Sequence, residues 1–474
     1  MVFNSISFFI FFTLFFFIYW IIARKASLKI TNLFILLSSY LFYGWWDWRF
    51  LGLLLFSSTI DYFVALNIEK ADEPKKRKAL LCISIFSNIG LLAFFKYYNF
   101  FVDSFVTLLD TFSIPVDTTT LSIILPVGIS FYTFQALSYT IEVYRKNLRA
   151  SNDIIAFLAF VSFFPQLVAG PIERARELLP QFYEKKQFSY ANCISGLRLM
   201  LWGFFQKIVI ADNLAMLVEK VYNAPSSHSG LSVLLASICF AFQIYCDFAG
   251  YSNIAIGTAK MLGFQLSTNF KTPYFSTSFT SFWRRWHISL STWFRDYVYI
   301  PLGGNKGSQL KTDTNLLITF VLSGLWHGAA FTFILWGTLH GLLLILNKRF
   351  PVKLPSFISA IFVFMVVTLL WMPFRAKNME HLGLLAERIL YSFNIGDAPA
   401  VAMLAVFSFS KWKVLMLAFI GFLLIEYKMK LQDFNQTLLS IKRPLRISLY
   451  YVLLFLILTL GNFNVKPYFI YFQF

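Results

Sequence analysis

From its first residue the chain alternates long apolar runs with short polar breaks. Apolar stretches cover residues 3–22, 30–45, 50–67, 79–95 and 121–143 with few or no charges inside them. A helix needs about 20 apolar residues to cross roughly 30 Å of hydrocarbon, so the pattern predicts five spanning helices in the first third. Further spans are expected at 314–346, dividing in two around residue 327, and at 356–374, 412–427 and 446–463.

Residues 146–312 read differently. Pro165, Gly170, Pro171, Glu173, Arg174 and Arg176 interrupt the earlier apolar runs, and Asp247, Gly250 and Lys260 the later ones. Charges at membrane depth are costly unless they face a partner or a cavity. Irregular backbone there survives only where protein or water covers it. Re-entrant or interfacial segments around a cavity are expected in this region, rather than a row of simple spans. With no extended linker and no internal repeat, residues 1–474 are expected to form a single membrane-embedded domain.

Composition supports this. The chain is 58% hydrophobic, 20% aromatic and only 14% charged, with a mean hydropathy of +0.65, where a soluble domain is nearer one quarter charged. Its 58 phenylalanines are more than one soluble core would hold. The reading is an all-α polytopic membrane protein whose first partner is the lipid bilayer.

The net charge of +18 would suit a nucleic-acid binder, but its distribution does not. Arg24, Lys25 and Lys29, then Lys75, Lys76, Arg77 and Lys78, then Arg145, Lys146 and Arg149 occupy alternate breaks between apolar runs. That is the positive-inside pattern of a multi-pass membrane protein. It places the basic loops in the cytoplasm and the N-terminus outside, and no nucleic acid is expected. The run at 3–22 has no basic segment before it and no small-residue cleavage site after it, so it is expected as a first spanning helix and not a removable signal. Cys82, Cys193, Cys239 and Cys246 lie in or beside apolar stretches without a CxxC spacing. They are expected as buried small residues, with no metal site and no bound cofactor.

Five histidines offer acid–base chemistry: His228, His287, His327, His340 and His381. His228 and His381 fall in polar stretches. His327 stands in Leu322-Ser323-Gly324-Leu325-Trp326-His327-Gly328, an apolar run in which Gly324 and Gly328 are expected to thin the local wall for a substrate. Transfer of an acyl group from a thioester to a hydroxyl needs a base near neutral pKa, which imidazole supplies. A structural histidine pairing with a neighbouring helix is the plain alternative. His340, 13 residues later, is expected to pack between helices, since on one continuous helix it would face away from His327.

His287 lies in Phe282-Trp283-Arg284-Arg285-Trp286-His287, followed by Arg295 and Asp296. Arginines alternating with aromatic rings suit a membrane interface, and guanidinium groups also bind phosphate well. Arg284, Arg285, Trp286, Arg295 and Asp296, with Trp326 and Gln135, form the candidate substrate- and donor-binding set. No GxSxG elbow, P-loop, HExxH or dinucleotide fingerprint competes.

Several of these stretches together resemble the membrane-bound O-acyltransferase family. They are Pro126-Val127-Gly128-Ile129-Ser130-Phe131-Tyr132, Phe164-Pro165-Gln166-Leu167-Val168-Ala169-Gly170-Pro171, Asp247-Phe248-Ala249-Gly250-Tyr251-Ser252, residues 283–297, Gly324-Leu325-Trp326-His327-Gly328, and residues 469–474. Within the family the chain is most similar to the branches that O-acetylate alginate and peptidoglycan. Proteins of teichoic-acid D-alanylation are more distant.

The resemblance implies a ring of about 10–12 transmembrane helices around a thin central cavity in the bacterial inner membrane. It maps the family's later histidine onto His327 and an earlier one onto His287, as catalytic residues. It implies acetyl-CoA as donor, an exported glycan as acceptor, and a periplasmic partner resembling a serine esterase. His327 would act as general base or as transient acyl carrier. Two other readings compete. One is D-alanyl transfer from an acyl carrier protein to teichoic acid; the other is a solute transporter, which would show internal two-fold repeats.

Overall fold

The computed structural model describes residues 1–114, 121–168, 170–351, 354–394 and 409–461. Every regular element among them is helical. Eight of these helices are long and apolar enough to cross a membrane: Ile6–Lys25, Arg49–Lys70, Pro74–Thr111, Tyr190–Tyr222, Gly230–Met261, Phe331–Arg349, Ser356–Arg375 and Arg443–Leu460. Leu28–Gly44 is a shorter apolar helix of 17 residues. The protein is an all-α, multi-pass membrane protein. Its outward faces carry exposed apolar side chains, among them Phe9, Leu14, Phe17, Phe86 and Leu458, which lipid tolerates and water does not.

The chain forms two compact units, residues 1–194 with 258–267, and residues 195–257 with 268–474. In the first unit the N-terminal helix opens on Ser5, whose side chain accepts from Phe8 N, and closes on Arg24 and Lys25. Those cations complement the negative end of the helix dipole. The Tyr19 hydroxyl donates to the Leu262 carbonyl at 2.9 Å, and Asn32 Nδ2 to the Phe182 carbonyl at 2.8 Å. Asp61, buried mid-helix, accepts from Ser84 Oγ at 2.5 Å, Asn88 Nδ2 at 2.8 Å and Thr140 Oγ1 at 3.3 Å. Three donors from two other helices make that carboxyl group tolerable at membrane depth.

Two sequence expectations are corrected in this unit. The apolar run at 121–143 is helical only over Ile129–Tyr144. Gly128 turns the chain at φ +76, and a Cβ there would sit 2.8 Å from the Leu167 carbonyl oxygen. Beyond the apolar run at 79–95 the chain stays helical through Tyr98–Thr111. Phe101, Phe105 and Leu108 lie on its exposed face, at the spacing of a helical stripe. Cys82, expected inside, is exposed, whereas Cys193 and Cys246 are buried.

Asp247 and Gly250 of the second unit, and Lys260 further along, do not interrupt the helix that contains them, which runs unbroken over Gly230–Met261. The reason is its neighbour, Tyr190–Tyr222. A Cβ on Gly250 would meet the Gly203 carbonyl at 2.7 Å, and one on Gly257 the Gly196 carbonyl at 2.6 Å, so paired glycines let the two backbones touch. Asp247 is neutralised across that seam by Lys207 Nζ at 2.6 Å, which also holds Asp212 at 2.7 Å. Lys207 itself sits in a π-helical turn, Phe205–Ala211, of the kind that re-aims side chains inside a helix. The short helices Phe164–Leu167 and Ala175–Leu178 of the first unit do follow the irregular course expected of that stretch.

Candidate active site

The two histidines of interest reach one place by different routes, both within the second unit. His327 closes the helix Gln309–His327, and Gly328 then runs extended before Phe331–Arg349 turns back alongside. The hairpin is held by backbone contact: Gly324 packs on the Phe333 carbonyl and Gly337 on the Phe320 carbonyl. Gly328 faces the Phe333 ring. The glycines flanking His327 therefore serve close helix packing, and the expectation that they clear a path for substrate is corrected.

His287 sits at φ 42, ψ 55, a left-handed backbone for a non-glycine residue, at the head of the short helix Ile288–Phe294. Such conformations cost of order 1–3 kcal/mol and persist only where the surroundings enforce them. Asn269 does the enforcing. Its carbonyl accepts from Ile288 N at 2.9 Å, its Oδ1 from Ser289 Oγ at 2.8 Å, and its Nδ2 donates to Ser252 Oγ at 3.2 Å. Lys271 N bonds the Arg285 carbonyl at 3.0 Å, pinning the other side of the turn.

These supports bring the His287 and His327 rings to 6.4 Å between centroids, inclined at 51°. Both are buried, at 1% and 4% exposure. The separation is too long for a direct hydrogen bond between the imidazoles. Aromatic rings wall the pair. Phe248 meets His287 edge-on at 4.6 Å, Trp326 meets His327 at 4.9 Å, and Trp336 and Phe374 meet His327 at 5.1 and 5.2 Å. Burial among these rings pushes the His287 imidazole down to about 3, so it is neutral at physiological pH.

The other candidates divide. Trp326 is part of the enclosure. Trp286, 1% exposed, packs behind it on Trp371 at 4.9 Å and Phe270 at 5.1 Å. Arg284 is exposed and Arg285 half-buried. Arg295 pairs with its neighbour Asp296 at 2.6 Å and remains largely exposed. Gln135 belongs to the first unit, where its Nε2 donates to the Phe160 carbonyl at 3.1 Å. His340 is buried between Trp283 at 5.0 Å and Trp336 at 4.9 Å. It lies on the second helix of the hairpin and not on a continuation of the first. Phe248, Trp336 and Phe374 were not singled out by sequence reasoning. Phe248 and Trp336 stand in stretches that carried other candidates, whereas nothing local marks Phe374. Residues 469–474 and Ala169, parts of the family-like stretches, lie outside the described residues.

Long apolar helices carrying a buried, aromatic-walled pair of imidazoles are the build of a polytopic membrane enzyme. Comparison with known proteins settles its kind: residues 3–357 match MBOAT, the membrane-bound O-acyltransferase family, and the chain belongs to that family. It is 39% identical over 386 residues to the probable alginate O-acetylase AlgI of Azotobacter vinelandii, covering 80% of this chain and 76% of that one. It is 36% identical over 382 residues to a peptidoglycan O-acetyltransferase of Helicobacter pylori, covering 74% and 72%. A teichoic acid D-alanyltransferase of Streptococcus thermophilus is 28% identical over 292 residues, covering 57% of this chain and 70% of that one. The protein is a membrane acyltransferase, which sets the transporter reading aside.

Proposed function

We propose that this acyltransferase moves acetyl from cytoplasmic acetyl-CoA across the bacterial inner membrane to O-acetylate an extracytoplasmic polysaccharide, an alginate-like exopolysaccharide or peptidoglycan. The observation that carries the reading is the His287–His327 pair, buried and 6.4 Å apart inside its aromatic enclosure. The acceptor hydroxyl oxygen attacks the thioester carbonyl carbon while His327 takes the hydroxyl proton. The C–S bond then breaks, and the proton passes to the departing thiolate. His287, neutral and held by its turn, positions the acceptor oxygen by hydrogen bonding. Excluding water keeps the thioester from hydrolysis.

Arg284 and Arg285 carry the guanidinium groups suited to the donor's phosphates. The alternation of basic loops supports an N-terminus outside and basic loops in the cytoplasm. A periplasmic partner of serine-esterase type would present that acceptor hydroxyl and pass the acetyl group on to the glycan. Identity to the O-acetylating relatives, at 39% and 36%, exceeds the 28% to the D-alanyltransferase, so acetyl is favoured over D-alanyl.

The test is turnover of radiolabelled acetyl-CoA by the purified full chain in lipid nanodiscs. Donor consumption by wild type supports the reading. Consumption of a D-alanyl carrier protein with acetyl-CoA left untouched would replace it.

A further inference from the structure

At the basic end of the first helix, within the first unit, a groove of 790 Å³ opens between residues 17–25 and 185–188. One end is apolar: Phe17 and Ile21 line it, 63% and 58% exposed, continuous with the outward face of the helix. The other end is cationic, lined by Arg24, Lys25, Lys185 and Lys186. Trp20 and Phe188 meet edge to face at 5.3 Å and also line it. Lys185 Nζ reaches the Ala26 carbonyl at 3.4 Å. Lys186 packs over the Phe264 ring at 4.9 Å and pairs with Glu184 at 3.3 Å. Glu184 thus offsets one of the four cations and leaves an excess of three.

We propose that this groove binds the phosphate of an anionic phospholipid in the leaflet at the basic end of the helix. The cations hold the headgroup, and an acyl chain runs along Phe17 and Ile21. The feature that selects a lipid is the join of a cationic pocket to an exposed apolar stripe. Aromatic side chains favour that boundary, and lysines and arginines near a bilayer surface attract anionic headgroups. A soluble phosphate would use the cations alone and gain nothing from the stripe. This groove shares no residue with the histidine pair and does not depend on the acyl-transfer reading.

Native mass spectrometry of the full chain, in detergent doped with equal amounts of dioleoyl phosphatidylglycerol and dioleoyl phosphatidylcholine, tests it. Wild type should retain phosphatidylglycerol preferentially. The variant Arg24→Gln/Lys25→Gln/Lys185→Gln/Lys186→Gln should lose that retention by roughly tenfold or more. A control, Lys75→Gln/Lys76→Gln/Lys78→Gln, removes exposed charge elsewhere and should behave as wild type. Equal loss in both variants, or no lipid preference in wild type, overturns the site. Inorganic phosphate that displaces the lipid at equal concentration assigns the groove to a soluble anion and overturns the lipid. If the fourfold variant does not fold, Arg24→Gln/Lys25→Gln carries the same comparison with a partial loss expected.

Discussion

The rings of His287 and His327 stand 6.4 Å apart, although 40 residues separate them along the chain. One is aimed by a left-handed turn that Asn269 clamps, the other by the end of a helix whose glycines lock it to its neighbour. The proposed reaction gives the two imidazoles unequal tasks: His327 to move the proton and His287 to orient the oxygen that loses it.

Replacing His327 with alanine should lower acetyl turnover by about 10²–10⁴-fold with little change in donor KM. His287→Asn keeps a side chain that tolerates the left-handed backbone and can still hydrogen-bond, so its loss should be smaller. Single-turnover assays with radiolabelled acetyl-CoA read both. An equal loss in the two variants would contradict the division of roles.

Arg284→Ala with Arg285→Ala should raise the KM for acetyl-CoA far more than it lowers kcat, because uniform binding of the donor is what phosphate contacts supply. Steady-state kinetics decide this, and unchanged constants would remove these arginines from the donor site.

Acid should destabilise the fold through His287. In the folded protein its imidazole titrates at about 3, against 6.5 for the exposed group. Below 6.5 the unfolded chain binds a proton that the folded chain excludes, so stability falls with falling pH by about 1.4 kcal/mol per unit from this group, and is flat above 6.5. Unfolding midpoints of wild type and His287→Asn in mild detergent, compared from pH 7 to pH 5, should show wild type losing stability relative to the variant as pH drops. A constant gap between them refutes the assignment.

Lys207 is bonded to both Asp247 and Asp212. Lys207→Met strands the buried Asp247 carboxylate and should cost about 3–5 kcal/mol. Adding Asp247→Asn should recover part of it. Thermal unfolding of the single and double variants measures the coupling, and strict additivity would mean the pair contributes no more than its separate side chains.

The helical class and most of the spans were legible in the residues themselves. Transfer into lipid depends on residue type within a local window, so runs such as 3–22 and 356–374 announce helices, found at Ile6–Lys25 and Ser356–Arg375. His327 stood out because an imidazole inside an apolar run is rare, and the break beside it was foreseen where the hairpin turns. Local reading failed where a distant element sets the cost. Asp247 looked like an interruption because its window does not contain Lys207, and Gly250 because its window does not contain Gly203. The aromatic wall of Phe248, Trp336 and Phe374 likewise comes from three separate helices. The sequence by itself determined that this chain lives in a bilayer and which imidazole is exceptional there. Only the tertiary structure decided what each buried polar group faces, because hydropathy is a sum over neighbours in the chain, whereas neutralisation, ring contact and close helix approach depend on neighbours in space.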